Sequence, residues 1–288
     1  MFKNLKKNNL SVISHDAGGA NQIYYFLKYK KIQFNLYARG PAKKIFKKKN
    51  YTNNLKKLIN KSEIILFGSG TGTLEYKILQ KSILCKKYTI VFLENWVNFK
   101  ERIARTSKSL LPNEIWVSDE IAYYLAKKYF KNLIKIKKIQ NYYLKSFTKK
   151  TKKLIKKNKI IYLSPNYDLA GVTNKYRKKK DLKIFEIFLS KMKILNKIIK
   201  QKKLFIDLLL HPSEDESKYN NFKKKYPKLI TILFKKNLKN VLFNYKYAVS
   251  TNSYALFVSK KIGLITFNNI KKTGIKKSIP SNYIDYDI

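Results

Sequence analysis

The strongest constraint on this chain is an alternation. Short runs that are apolar almost throughout recur between longer segments patterned like amphipathic helices. The runs are LSVIS (10–14), IQFNLY (32–37), EIILFG (63–68), YTIVFL (88–93), EIWVS (114–118) and IKIKKI (134–139). Helical patterns fall between them, near 20–30, 42–49, 73–82 and 119–130. Strands that are apolar on both faces are buried on both faces, and strands alternating with helices predict a parallel sheet.

The stretch NYYLKSFTKKTKKLIKKN (141–158) is helical in pattern and highly charged, and 146–158 reads as a linker. The alternation then restarts with KIIYLSP (159–165), LFIDLLLHP (204–212), LITILF (229–234), YAVS (247–250) and IGLITF (262–267). A long amphipathic helix is expected at about 181–200. The 288 residues thus predict an α/β protein of two Rossmann-like lobes, 1–145 and 159–288, with mainly parallel sheets and a cleft between them. Ligands of such sheets bind beyond the carboxyl ends of the strands, so the loops there are the ones to read.

After the first strand comes His15-Asp16-Ala17-Gly18-Gly19. Glycines between strand and helix let the backbone approach a ligand, and the helix start offers free N–H groups. His15 and Asp16 are candidate catalytic residues, a general base and its neighbour. The competing reading makes Asp16 a helix cap and His15 a satisfied strand-end residue. The third strand ends in FGSGTGTLEYK (67–77), where Gly70 and Thr71 are candidates for holding a hydroxyl-rich group and Glu75 opens a helix. In FLENWVNFKER (92–102), Glu94, Asn95 and Trp96 are candidates for sugar contact, with a lid residue packed on the lobe as the alternative for Trp96. Trp116 is expected in the core.

In the second half His211 and Pro212 stand just beyond an apolar strand, and Ser250-Thr251-Asn252-Ser253 join a strand to a helix. Hydroxyls and N–H groups at a helix start suit an anion, although any helix has an N-cap. On neighbouring strand ends, these two groups would suit a nucleotide's phosphates.

The formal net charge is +47, carried almost wholly by lysines spread along the chain. Base-specific readers favour clustered arginine, so no specific nucleic-acid partner is expected. The charge instead favours phosphorylated ligands, anionic glycans and peripheral contact with an anionic membrane. The single cysteine, Cys85, excludes an intrachain disulfide. The apolar run before His15 is too short for a signal peptide's core, and no segment suits a membrane span. A cytoplasmic protein, peripheral to the inner face of the membrane at most, is the expectation.

The two-lobe layout resembles the GT-B fold of nucleotide-sugar glycosyltransferases and of UDP-sugar 2-epimerases. His211-Pro212 followed by Ser250-Thr251-Asn252-Ser253 is similar to the HP and Ser/Thr motifs of bacterial sialyl- and polysialyltransferases. SHDAGGANQI, GSGTGTLE, FLENWVNFKERI and LPNEIWVSDEIA look like segments of proteins encoded among bacterial surface-polysaccharide genes. The resemblance implies that His211 and the hydroxyls of 250–253 meet the donor's nucleotide and phosphates. It also implies a metal-independent glycosyltransferase that moves a sugar from a nucleotide sugar to a glycan or lipid-linked acceptor, with no further cofactor. A 2-epimerase or hydrolase of the same fold, and a non-enzymatic polyanion binder, are the alternatives. This chain departs from the sialyltransferase pattern in lacking its acidic-acidic-Gly motif. His15-Asp16-Ala17-Gly18-Gly19 lies in the corresponding kind of place, so His15 or Asp16 would stand in as base. SIPSNYIDYDI (278–288) also lacks the long helices that usually close the fold.

Overall fold

The computed structural model of the protein describes residues 9–47, 51–70, 72–106, 108–147, 156–165, 167, 180–212, 214–234 and 236–288. The chain divides into two units, Met1–Ser146 and Phe147–Ile288.

In the first unit the apolar runs form β1 (Leu10–Ser14), β2 (Asn35–Ala38), β3 (Ile64–Gly68), β4 (Tyr88–Phe92), β5 (Glu114–Val117) and β6 (Lys135–Lys138). They make one sheet in the order β2-β1-β3-β4-β5-β6, with every pairing parallel. The helices are α1 (Ala17–Lys30), α2 (Gly40–Phe46), α3 (Leu55–Lys61), α4 (Thr73–Leu84), α5 (Phe99–Ile103), α6 (Glu120–Phe130) and α7 (Tyr142–Lys145). All five residues of both β1 and β3 are buried, as their near-continuous apolar pattern requires. Ile23, Phe26 and Leu27 of α1 pack with Val12, Leu66, Ile90 and Phe92 in one core cluster. Trp116 belongs to that cluster too, its indole N–H donating to Glu114 Oε2 at 2.8 Å.

The second unit holds β7 (Lys156–Leu163), β8 (Phe205–Leu209), β9 (Ile230–Leu233), β10 (Tyr245–Ser250), β11 (Ile265–Asn268) and β12 (Tyr286–Asp287). Their order is β12-β11-β10-β7-β8-β9, again all parallel. The helices are α8 (Lys180–Ser190), α9 (Met192–Ile199), α10 (Asn220–Lys225), α11 (Leu238–Val241) and α12 (Tyr254–Lys261). The α/β fold with two parallel sheets is therefore the one expected from the alternation.

Two local expectations need correction. Residues 156–158 are strand rather than helical linker, because Lys156 pairs with Tyr245 of β10 and extends the sheet. The ladder prevails there over the weak helical preference of a lysine run. Residues 148–155 of the expected linker lie outside the described residues. The helix at 181–200 is two helices, separated at Lys191, whose side chain turns inward and donates to Asn269 Oδ1 and the Lys271 carbonyl. Residues 278–288 hold no long helix, as their sequence suggested, and supply a short 3-10 turn and β12, which completes the sheet beside β11.

Candidate active site at the strand ends

In the first sheet the chain leaves β1 toward β2 on one side and returns to β3 on the other. That reversal puts the sheet's topological switch point at the carboxyl ends of β1 and β3, the standard ligand position in an open α/β sheet. Ile13 pairs with Phe67, so Ser14-His15-Asp16 and Gly68-Ser69-Gly70 leave the sheet side by side.

His15 Nδ1 lies 2.7 Å from Asp16 Oδ1, and both side chains are 40% exposed. Asp16 occupies the backbone position that caps α1, yet its side chain makes no capping bond. It is committed to the histidine, and so the capping reading of Asp16 is not the one realised. The other edge of the ring lies over Gly40 at the start of α2, where a Cβ would come within 2.7 Å of Nε2. Gly40 has φ +49°, a backbone that L side chains rarely adopt. With Nδ1–H donated to Asp16, the Nε2 lone pair is left to accept a proton; this tautomer follows from the hydrogen bond.

Beneath the pair lies Glu75, in the first turn of α4 and buried. Its Oε1 accepts the His15 N–H at 2.8 Å and its Oε2 accepts the Gly70 N–H at 2.8 Å. One carboxyl group thus ties the two strand-end loops together. Burial, reinforced by the Asp16 charge, pushes its carboxyl up to about 8, against the two backbone donors that pull it down. A Cβ on Gly70 would collide with both Glu75 Oε2 and Asp16 Oδ2, so glycine there lets two carboxyl groups converge on one stretch of backbone. Gly19 presses against Gly68, and Gly18 against Glu94. Thr71 lies outside the described residues.

Glu94 is buried, and holds Arg102 Nη1 at 2.8 Å and the Ser69 hydroxyl at 2.5 Å. Arg102 also donates to the Ser69 carbonyl. Glu94 therefore fixes the β3 and β4 loops to each other. Asn95 accepts the Trp96 N–H at 2.8 Å. Of the two readings of Trp96, sugar contact and a residue packed on the lobe, the structure realises the packed one: it is 3% exposed, and its indole N–H donates to Asp119 Oδ1 at 3.0 Å. An aromatic ring with its own buried polar partner is a structural anchor for the loop.

In the second unit β8 and β10 are not neighbours, because β7 lies between them. His211 and the 250–253 turn therefore stand two strands apart, about 9–10 Å across the sheet, rather than on adjacent ends. The backbone N–H of His211 donates to Glu214 Oε2 at 2.7 Å, and Pro212 is exposed beside it. Glu214 is in turn held by the Ser164 hydroxyl and the Lys218 ammonium. Ser250 and Thr251 are buried, and spend their hydroxyl protons on the carbonyls of Leu163 and Asn269. Asn252, at φ +50°, donates to the Lys276 carbonyl and accepts the Ser278 N–H. Ser253 caps α12 by accepting the Ala255 N–H. The side chains of the turn thus build the loop, and what it presents outward is the start of α12. The ammonium of Lys191 lies at the end of β11 on Asn269, with burial and the charges of Lys272 and Lys271 lowering it to about 8.

Four residues of these sites escaped the sequence reading as site residues. Glu75 looked like an ordinary first-turn acid, Gly40 stood in an unremarked Arg-Gly-Pro turn, and Arg102 was one of two cations in its segment. Lys191 was hidden among the other lysines. Among the described residues, no group of three or more His, Cys, Asp or Glu is placed to hold a metal ion.

No family model matches the chain, and no curated protein matches it. Solved structures do. The Staphylococcus aureus MnaA structure with UDP is 12% identical, covering 91% of this chain and 79% of that one, at a TM-score of 0.65. The UDP-GlcNAc 2-epimerase of Methanocaldococcus jannaschii is 12% identical over 90% of this chain and 83% of that one, with a TM-score of 0.54. HepE of Anabaena, solved with UDP and glucose, is 8% identical over 89% and 80%, with a TM-score of 0.51. At such identities the likeness is one of fold, and the fold is the GT-B-like one that the chain's two-lobe layout resembles.

Proposed function

We propose that the protein is a nucleotide-sugar-dependent enzyme of the glycosyltransferase type, acting on a glycan or lipid-linked acceptor in surface-polysaccharide assembly. The observation that carries this reading is the His15–Asp16 pair, exposed at the reversal of the first sheet and backed by glycine. His15 Nε2 takes the proton of an acceptor hydroxyl while Asp16 holds the ring and steadies the imidazolium that forms. The acceptor oxygen bonds to the anomeric carbon, and the bond from that carbon to the phosphate oxygen breaks. Its electron pair leaves with the nucleotide.

The donor's phosphates are assigned to the second unit, at the start of α12, with His211 and the ammonium of Lys191 as further contacts. The charge of the leaving phosphate is met by N–H groups and lysines, so activity is expected to survive EDTA. Gly18, Gly19, Gly70, Glu94 and Asn95 frame the acceptor side; Glu94 does so by holding the loops together. The folds compared above support a nucleotide sugar as ligand, since two of those structures were solved with UDP.

A 2-epimerase or hydrolase reading draws on the fold shared with the UDP-GlcNAc 2-epimerase of Methanocaldococcus jannaschii. Epimerisation must remove a proton from carbon and return one on the opposite face, which takes two working acid–base groups. The first unit's strand ends offer one exposed histidine–carboxylate pair, while Glu75 and Glu94 are buried and committed to neighbours. Transfer, which needs one base, fits better.

The test is a thermal-shift screen against CMP, UDP, GDP and dTDP with and without EDTA, followed by product analysis with the matching sugar nucleotide. A ligand at a hundred times its Kd adds about 2.7 kcal/mol and raises Tm by about 5 °C. One nucleotide standing out, EDTA-insensitive, with a lengthened glycan as product, supports the reading. A free or epimerised sugar moves it to the second reading. Equal shifts with all four that vanish in salt overturn both.

A further inference from the structure

A second surface lies on the outer side of α6 and the turn after it. Within residues 124–133, Tyr124, Leu125, Tyr129 and Leu133 are exposed, Tyr124 at 63% and Leu133 at 73%. Lys127, Lys128 and Lys131 are exposed among them. The opposite side of the helix is spent on the interior, with Ala122, Ala126 and Phe130 buried. Leu125 and Tyr129 are four residues apart, as are Tyr124 and Lys128, and Lys127 and Lys131, so apolar and basic groups share one side. No carboxylate interrupts them: the acids of this segment, Asp119 and Glu120, lie at the helix start. Asp119 caps Ala122 and accepts from Trp96, and Glu120 pairs with Lys138.

We propose that this face docks the protein on an anionic lipid bilayer, with Leu125, Leu133 and the tyrosines at the headgroup boundary and the three lysines on lipid phosphates. Charge complementarity selects the occupant. The lysines call for an anionic partner, whereas a second copy would bring the same lysines and another +47 against them. A nucleic-acid backbone would satisfy the lysines and leave two leucines in water. A bilayer interface takes both: tyrosine rings and leucines enter the apolar boundary while lysine stems follow them and keep their ammonium groups at the surface. The inference stands apart from the proposed reaction, for it uses none of the strand-end residues.

The experiment is flotation of the full chain with phosphatidylcholine vesicles, with and without phosphatidylglycerol. Binding is expected only with phosphatidylglycerol. Lys127→Gln/Lys128→Gln/Lys131→Gln should weaken it on the order of a hundredfold. Leu125→Ser/Leu133→Ser should weaken it with no change of charge. The control Lys223→Gln/Lys224→Gln/Lys225→Gln, on exposed lysines of α10, should bind as the parent does. Four results would overturn the proposal. These are no binding to anionic vesicles, an equal loss in the α10 control, full binding by the leucine variant with displacement by duplex DNA, or loss on Ile194→Ser/Ile198→Ser of α9 while the α6 variants bind normally.

Discussion

His15 and Asp16 are chain neighbours whose side chains bond each other, Nδ1 to Oδ1 at 2.7 Å, instead of serving the helix that begins beside them. A helix start forgoes its side-chain cap, worth about 1 kcal/mol, to aim an imidazole. Replacing His15 with Ala should lower kcat on the order of a hundredfold or more while nucleotide affinity stays within a few-fold. Asp16→Asn, which keeps the shape and loses the charge, should fall between the two. Turnover with a sugar nucleotide and calorimetric nucleotide binding check both, and parental turnover in His15→Ala would remove the base from the mechanism.

Gly40 is the floor under that ring. An alanine there takes a strained positive φ and puts a methyl group 2.7 Å from Nε2. Gly40→Ala should cost about 1–2 kcal/mol of stability and lose activity far beyond that loss. Urea unfolding gives the first quantity and kcat the second. A variant that is less stable but fully active would show that the ring's position is not needed.

Fold was more legible than site. The runs LSVIS and EIILFG could be placed within a residue because a strand buried on both faces is apolar almost throughout, and helical patterns on either side bound its length. The strand-end loops followed, since strand ends are fixed once strands are. Which polar groups stay open there was not legible. Ser250 and Thr251 read as ligand hydroxyls but bond inward to carbonyls, and Trp96, readable as a sugar contact or as a packed residue, is packed with its N–H on Asp119. Hydroxyl and indole groups serve either purpose, and only the third dimension decides. The break at Lys191 was invisible for a related reason, because the buried lysine looks in sequence like every exposed one.

Glu75 should leave a mark on the pH dependence of stability. Burial holds its carboxyl up at about 8 in the fold, against about 4.5 for an ordinary glutamate. Between those values the native state keeps a proton that the unfolded chain has released, so rising pH favours unfolding. The contribution is complete below about pH 4.5 and is lost progressively toward pH 8, by up to about 1.4 kcal/mol per pH unit. Glu75→Gln should flatten that slope. It should also be less stable at pH 5 by about 1–3 kcal/mol, because an amide cannot accept from both His15 and Gly70. Urea unfolding from pH 5 to 9 is the measurement, and an unchanged slope in the variant would assign the pH dependence elsewhere.

Glu94 and Arg102 form a buried pair, so its two halves should not be worth the same removed singly and together. Arg102→Ala leaves a buried carboxylate with only the Ser69 hydroxyl and should cost about 3–5 kcal/mol. Glu94→Ala/Arg102→Ala removes both charges and should be less damaging than the sum of the single changes. A double-mutant cycle by chemical unfolding reads this directly, and strict additivity would mean that the pair does not hold the β3 and β4 loops.

The turn at 250–253 offers the sharpest division between building a site and touching a ligand. Ser250→Ala and Thr251→Ala each delete a buried hydroxyl and leave a backbone carbonyl without its donor, which should cost about 1–3 kcal/mol of stability. Neither hydroxyl has a second proton to give a phosphate, so nucleotide affinity should change little at temperatures where the variants are folded. Lys191→Met should do the reverse in binding, because it removes a positive charge at the end of β11 and not a hydroxyl of the turn. Thermal unfolding and nucleotide titration on the same three proteins separate these outcomes. Tighter dependence of binding on Ser250 or Thr251 than on Lys191 would return the hydroxyls to the ligand and require the loop to rearrange when the nucleotide binds.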